Sequence, residues 1–90
     1  MKRIGATAQG RVQGVGFRYY ARDVANRCRL TGWVRNLPDG SVELEAQGPA
    51  DLVDTFVADL RAGPPLSYVA EVTVSELPIE ERERDFEVRY

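Results

Sequence analysis

The beginning of the chain changes from a strand pattern to a helix pattern across a glycine-rich stretch. Apolar residues alternate with small or polar residues over residues 4–9, the period of two that a half-buried strand shows. From there the apolar residues recur at helical spacing, and they are Phe17, Tyr20, Ala21, Val24, Ala25 and Cys28. The pattern predicts a first strand, a loop over residues 10–16 and a first helix that ends before Gly32.

The middle of the chain has the pattern of a hairpin. Residues 31–36 form a short strand segment that ends at Asn36, and a Pro-Asp-Gly run at 38–40 supplies residue types that tight turns prefer. Residues 41–47 then alternate polar with apolar side chains. We therefore expect strands two and three to be neighbours joined by this turn.

A second helix is predicted after the hairpin. Its apolar stripe consists of Leu52, Val53, Phe56, Val57 and Leu60. Pro49 stands near the first turn, where proline is tolerated, and a Gly-Pro-Pro run at 63–65 ends the helical pattern. Cys28 belongs to the stripe of the first helix, so we interpret it as a core residue and not as a nucleophile.

Two more strands are predicted near the end of the chain. Ala70, Val72 and Val74 alternate with polar residues and indicate a fourth strand. Residues 86–90 alternate in the same way and indicate a short fifth strand. The charged run between them, at 80–85, is interpreted as a solvated loop.

This order of elements predicts an α+β fold. A right-handed crossover joins parallel strands, so strands one and two end at the same edge of the sheet, and the hairpin sends strand three back between them. The result is a ferredoxin-like α/β sandwich, βαββαβ with a short extra C-terminal strand, with a mostly antiparallel sheet and two helices on one face. Ninety residues support one domain over 1–90. The glycine-rich loop and Asn36 should then be neighbours in space.

Composition narrows the function classes. The hydrophobic fraction of 43% and the charged fraction of 29% are those of a globular protein. No apolar run approaches the roughly 20 residues of a membrane span, and the start of the chain lacks a secretory pattern. With Cys28 as the single cysteine and no histidine, an internal disulfide is impossible and a thiolate or imidazole metal site is nearly excluded. We expect a cytoplasmic protein without a metal or another cofactor.

The net charge of −2 conceals a division between the two halves of the chain. Residues 1–38 carry eight Lys and Arg against one acid, whereas residues 39–90 carry four Arg against thirteen acids. This asymmetry favours an anion partner for the first half. Two solvated faces that pair with each other would explain it equally well.

The glycine-rich loop and the residue behind it suggest an anion site. Three glycines allow successive main-chain N–H groups to turn inward as a nest, at the point where a helix begins. Arg18 in the first helical turn opposes the helix dipole unless an anion joins it, and its planar fork suits phosphate. The alternatives are a simple tight turn and a solvated arginine. The loop matches neither the Walker pattern nor the dinucleotide fingerprint.

Asn36 is ambiguous by itself, because an asparagine before a turn commonly caps that turn with its own side chain. Its interest lies in the predicted convergence with Arg18 at one end of the sheet. Neither the loop, the arginine nor the asparagine carries a function alone. Together they predict a site for a small anion.

The same residues resemble a known family. The run Gly-Arg-Val-Gln-Gly-Val-Gly-Phe-Arg at 10–18, with Gly-Trp-Val-Arg-Asn at 32–36 and Asp-Gly-Ser-Val at 39–42, is similar to the two signature segments of acylphosphatases. The resemblance extends over the whole chain. It implies a ferredoxin-like enzyme that hydrolyses acyl phosphates such as acetyl phosphate, 1,3-bisphosphoglycerate or carbamoyl phosphate.

The resemblance also implies roles for individual residues. Arg18 takes the place of the family's phosphate-binding arginine, and Asn36 takes that of the asparagine that orients the attacking water. The phosphate-binding loop falls on Gln13, Gly14, Val15, Gly16 and Phe17. We expect a metal-independent monomer whose partner is the small-molecule substrate, with no nucleic acid and no membrane.

Three alternatives remain open at this point. RNA-recognition modules share this order of elements, although they stack bases on aromatic side chains that the two central strands lack here. A regulatory ferredoxin-like module would use the nest only structurally. Related domains also begin larger hydrogenase-maturation carbamoyltransferases, although the end at Tyr90 favours a free-standing enzyme.

Overall fold

Five strands and two helices follow one another in the order βαββαβ with one additional strand. The computed structural model describes all residues from 1 to 90. The elements are β1 (Lys2–Arg11), α1 (Phe17–Arg27), β2 (Thr31–Asn36), β3 (Val42–Gly48), α2 (Ala50–Ala62), β4 (Tyr68–Leu77) and β5 (Phe86–Val88). The predicted order is therefore confirmed.

The strands form a single sheet in the order β4-β1-β3-β2-β5. β3 lies between β1 and β2 as predicted, and only the short β5 pairs in parallel, with β2. β1 is longer than the predicted 4–9, because it has a hydrogen-bonding partner on both sides over most of its length. β1 and β2 run in the same direction. Their last residues, Arg11 and Asn36, therefore lie at the same end of the sheet.

Both helices cover one face of the sheet and close the core of 20 buried residues. The predicted stripes provide its helical side, with Phe17 and Phe56 fully buried and only Tyr20 and Leu52 partly exposed. The Phe56 ring meets the Phe86 ring of β5 edge-on at 6.0 Å between centroids. Burying one such side chain contributes roughly 1.5–3 kcal/mol. Neither helix has the length and apolar composition that crossing a membrane requires.

Cys28 lies in this core, as its place in the stripe predicts. The thiol side chain is buried directly after the last turn of α1. Burial raises the pKa of the Cys28 thiol, because a thiolate would lose its hydration there. The residue therefore packs as a small hydrophobic group.

The alternating apolar positions of β4 are only partly buried. Val72 is buried, but Ala70 is exposed and Val74 keeps 41% of its surface exposed. β4 is an edge strand, and its pairing with β1 shifts register between Gln9 and Gly10, which leaves Ala70 as the unpaired residue of a bulge. Alternation thus identified the strand correctly, and the bulge interrupts the alternation at Ala70.

The interpretation of residues 80–85 as a solvated loop is wrong for part of that run. Glu83 accepts hydrogen bonds from the buried guanidinium of Arg3, with the shorter at 2.8 Å, and only 15% of the Glu83 side chain is exposed. The main-chain N–H of Glu80 donates to Gln47 at 2.7 Å, and its carbonyl accepts from the same amide at 3.0 Å. These bonds fasten the segment to the strands β1 and β3.

Candidate active site

The loop between β1 and α1 contains two residues with left-handed backbone conformations, a feature that anion-binding nests share. Gly14 and Gly16 have φ angles of 73° and 79°, which other residues adopt only with strain. A Cβ atom at either position would meet no other atom within 4 Å, so conformation and not crowding favours glycine there. Left-handed residues in such a loop turn successive N–H groups toward one side.

The start of α1 adds further donors. The first helical hydrogen bond runs from the Tyr20 N–H to the Gly16 carbonyl at 3.0 Å, so the N–H groups of residues 17–19 have no partner within the helix. The first turn contains no acidic residue that would offset the positive end of the helix dipole. An anion beside this turn would meet both the dipole and the free N–H groups.

Arg18 is held in place by the end of the chain. Its Nη1 donates to the carbonyl of Arg89 at 3.0 Å, and its guanidinium carbon lies 4.6 Å from the centre of the Tyr90 ring. The side chain is half-buried, so it is not the freely solvated arginine of the alternative interpretation. Only one of its donors is occupied by protein, which leaves the remaining N–H groups for a ligand.

Asn36 does not cap the turn that follows it. That role belongs to Asp39, whose Oδ1 accepts from the Ser41 N–H at 2.9 Å and from the Ser41 hydroxyl at 2.5 Å. The Asn36 Oδ1 atom is buried and has no hydrogen-bond donor within the protein. A buried acceptor without a donor costs about 1–3 kcal/mol, so this oxygen is suited to a donor that the protein does not supply.

Arg18 and Asn36 line one pocket of about 140 Å³. Its other lining residues are Val12, Gly14, Gly16, Phe17 and Tyr19. The pocket therefore combines a guanidinium, the two left-handed glycines and an unpartnered carboxamide oxygen. A larger depression of about 300 Å³ on the open face of the sheet includes Glu43 and Glu45 in its lining, which would repel an anion.

The remaining residues of the predicted phosphate loop contribute differently. Gln13 and Val15 do not line the pocket, and the Val15 side chain packs against the core. The Phe17 side chain is buried, with 1% of its surface exposed. The Gln13 amide donates to the carbonyls of Leu37 and Ser41, at 2.8 Å and 2.9 Å. In Gln13, Val15 and Phe17, therefore, only the main chain is free to face an anion.

Sequence reasoning did not identify the aromatic residues and the carbonyl beside Arg18. The Tyr19 hydroxyl is hydrogen-bonded to the Tyr90 hydroxyl, which raises the pKa of the Tyr90 phenol. Arg89 is placed by the parallel pairing of β5 with β2, and its N–H donates to the Val34 carbonyl at 2.8 Å. The alternation of residues 86–90 indicated a strand but not its neighbour.

Comparison with known proteins gives consistent results. The family model described as Acylphosphatase matches residues 4–88. An acylphosphatase of Methanospirillum hungatei is 58% identical over 57 residues, an alignment that covers 63% of each chain. An acylphosphatase of Pediococcus pentosaceus is 45% identical over 91 residues and covers both chains completely.

The fold comparison agrees with the sequence comparison. The crystal structure of an acylphosphatase from Bacillus subtilis superposes with a TM-score of 0.96 at 39% identity, and the match covers 100% of both chains. The match thus includes the nest, both helices and the C-terminal strand.

Proposed function

The chain belongs to the acylphosphatase family, and we propose that Arg18 and the main-chain amides of residues 13–17 bind the phosphate while Asn36 orients the attacking water. The enzyme hydrolyses acyl phosphates to a carboxylate and inorganic phosphate. The observation that carries the proposed roles is the buried Asn36 Oδ1 without a donor, in the same pocket as Arg18.

Phosphate binding uses fixed donors. The unpaired N–H groups at the start of α1 and the free N–H groups of Arg18 all belong to groups that the fold already holds. Such donors stabilise charge on the phosphoryl oxygens without reorganising during the reaction. Arg18 contributes the only full positive charge among the lining residues.

Water activation requires orientation more than deprotonation. The Asn36 Oδ1 accepts a hydrogen bond from the water and directs a lone pair of its oxygen toward phosphorus. A bond forms between the water oxygen and phosphorus while the bond from phosphorus to the carboxylate oxygen breaks, and the carboxylate leaves with the electron pair.

The proton of the water goes to a phosphate oxygen of the substrate. The residues that line the pocket include no carboxylate, imidazole or thiol that would take it. The leaving carboxylate is a weak base and needs no general acid. The reaction therefore runs on positioning and electrostatic stabilisation.

Hydrolysis of benzoyl phosphate in water enriched in heavy oxygen tests this arrangement. Attack at phosphorus places the label in inorganic phosphate, and attack at the carbonyl places it in benzoate. Label in benzoate would contradict the proposed role of Asn36, although acyl phosphate would still be hydrolysed. Inorganic phosphate should inhibit competitively, because it occupies the same donors.

We also propose that the protein acts as a monomer in the cytoplasm. The 20-residue core closes within one chain, and the single cysteine is a free, buried thiol, as is usual in a reducing compartment. Sedimentation measured at several protein concentrations tests whether the protein is a monomer.

A further inference from the structure

Gln13 connects the phosphate loop to the hairpin that carries Asn36. Its Nε2 atom donates to the Leu37 carbonyl at 2.8 Å and to the Ser41 carbonyl at 2.9 Å. Both partners are carbonyl oxygens, so only the nitrogen of the amide fits between them. One half-buried side chain thus uses both of its N–H groups to join two segments that are distant in sequence.

The two carbonyls lie at the two ends of the β2–β3 turn. The Leu37 N–H donates to the Ser41 carbonyl at 2.9 Å, and the Gly40 N–H donates to the Leu37 carbonyl at 3.2 Å. Gln13 adds a second donor to each of these carbonyls. It therefore holds the turn from outside, at the carbonyl of the residue that directly follows Asn36.

This link fixes a distance on which the proposed reaction depends. The main chain at Gln13 begins the loop that receives the phosphate, and its side chain binds the carbonyl of Leu37, the residue next to Asn36. Asn36 itself has no side-chain oxygen bond that would hold it. A displacement of about 1 Å between reacting groups can lower a rate about 100-fold.

We propose that Gln13 is a positioning residue that sets the distance between Asn36 and the phosphate loop. The inference rests on the proposed function of Asn36. Gln13 acts through the turn and touches neither the water nor the phosphate with its side chain. The competing explanation is that the two hydrogen bonds stabilise the fold without affecting the geometry of the reaction.

Two substitutions test the link. Gln13→Met keeps the length of the side chain and removes both donors, and Gln13→Glu replaces the donors by acceptors that face carbonyl oxygens. We expect Gln13→Met to lower kcat by between about 10-fold and 100-fold, with Gln13→Glu lower still. The inhibition constant of inorganic phosphate should change by less than about threefold, because the donors to phosphate remain.

Gln47 provides a matched control. It is also a glutamine whose amide joins separate segments, through the N–H and carbonyl of Glu80, but it lies at the opposite end of β3 from Asn36. Gln47→Met should lower the melting temperature and leave kcat unchanged. Assays run well below the lowest melting temperature of the set keep every variant folded.

A double-mutant cycle with Asn36→Ala separates positioning from stability. If Gln13 acts through Asn36, then Gln13→Met should change kcat by less than about twofold in the Asn36→Ala background. An equal loss in both backgrounds, or normal turnover of Gln13→Met, would overturn the inference. Full turnover of Asn36→Ala alone would instead remove the proposed role of Asn36, and the inference with it.

Discussion

Arg18 and Asn36 line the same pocket but are held there in opposite ways. The Arg18 guanidinium is fixed by the Arg89 carbonyl at 3.0 Å and by the Tyr90 ring, whereas the Asn36 Oδ1 atom has no partner in the protein. The charged group is thus oriented before a substrate arrives. The amide oxygen is left available for the attacking water that we propose it binds.

Removing the Asn36 carboxamide should affect turnover far more than binding. We expect Asn36→Ala to lower kcat by roughly 10²–10³, the usual effect of losing one group that acts on the transition state. The inhibition constant of inorganic phosphate should change little. Steady-state kinetics with benzoyl phosphate measure both quantities, and Asn26→Ala, on the exposed side of α1, is the control. Turnover of Asn36→Ala equal to that of the wild type would refute the role of Asn36.

Removing the Arg18 guanidinium should affect binding and turnover together. We expect Arg18→Ala to lower kcat/KM by at least about 100-fold and to abolish competitive inhibition by phosphate at millimolar concentrations. Arg18→Lys should recover only part of the loss, because a single ammonium cannot form two parallel hydrogen bonds.

Arg22 is the control for a simple charge effect. It lies one helical turn after Arg18, stacks 5.2 Å from the centre of the Tyr19 ring and does not line the pocket. Arg22→Ala should change kcat/KM only modestly, and the change should diminish with added salt. A loss as large as that of Arg18→Ala would assign the effect to net charge.

The conformation at Gly16 should be required for phosphate binding. Gly16→Ala places a side chain at a φ of 79°, where the strain is about 1–2 kcal/mol, and relief of that strain turns the N–H groups out of the nest. We expect weaker inhibition by phosphate and a lower melting temperature. Gly40→Ala carries comparable strain in the β2–β3 turn, outside the pocket, and should lower the melting temperature while leaving phosphate inhibition unchanged.

Acid should weaken the β2–β3 turn through Asp39. The hydroxyl and N–H of Ser41 hold the pKa of the Asp39 carboxyl below its ordinary value. A lowered pKa in the folded state means that the stabilisation is present above the unfolded pKa of about 3.9 and is lost as pH falls through the folded value. The stability difference between wild type and Asp39→Ala should therefore be largest near neutral pH and narrow in acid.

Urea unfolding at several pH values measures this difference. Glu71→Ala removes an exposed carboxylate of β4 that forms no side-chain hydrogen bond, and it serves as the control. A difference between wild type and Asp39→Ala that stays constant from pH 7 down to about pH 2 would contradict the assignment.

Periodicity predicted the parts of this molecule that depend on burial. The stripe from Phe17 to Cys28 faces the core, and the position of β3 between β1 and β2 followed from the crossover rule. The same reasoning predicted that Arg18 and Asn36 lie at one end of the sheet, and there they line one pocket.

Polar links between distant segments could not be predicted in this way. The Arg3–Glu83 ion pair joins residues that are eighty positions apart in the chain. The pattern of polar and apolar residues around Glu83 does not indicate that Arg3 is its partner. Gln13 shows the same limit, because the family resemblance placed it in the phosphate loop but said nothing about the destination of its side chain. Such contacts depend on where loops cross, which hydrophobic patterning does not specify.

The contact between Arg18 and the Arg89 carbonyl has a practical consequence for handling this enzyme. Any sequence that follows Tyr90, such as a purification tag or a fluorescent label, would emerge directly beside the pocket of Arg18 and Asn36. Met1 lies at the opposite end of the sheet, because the ten-residue strand β1 separates it from the pocket. Sequence that precedes Met1 would emerge at that far end and would leave the pocket of Arg18 and Asn36 unobstructed.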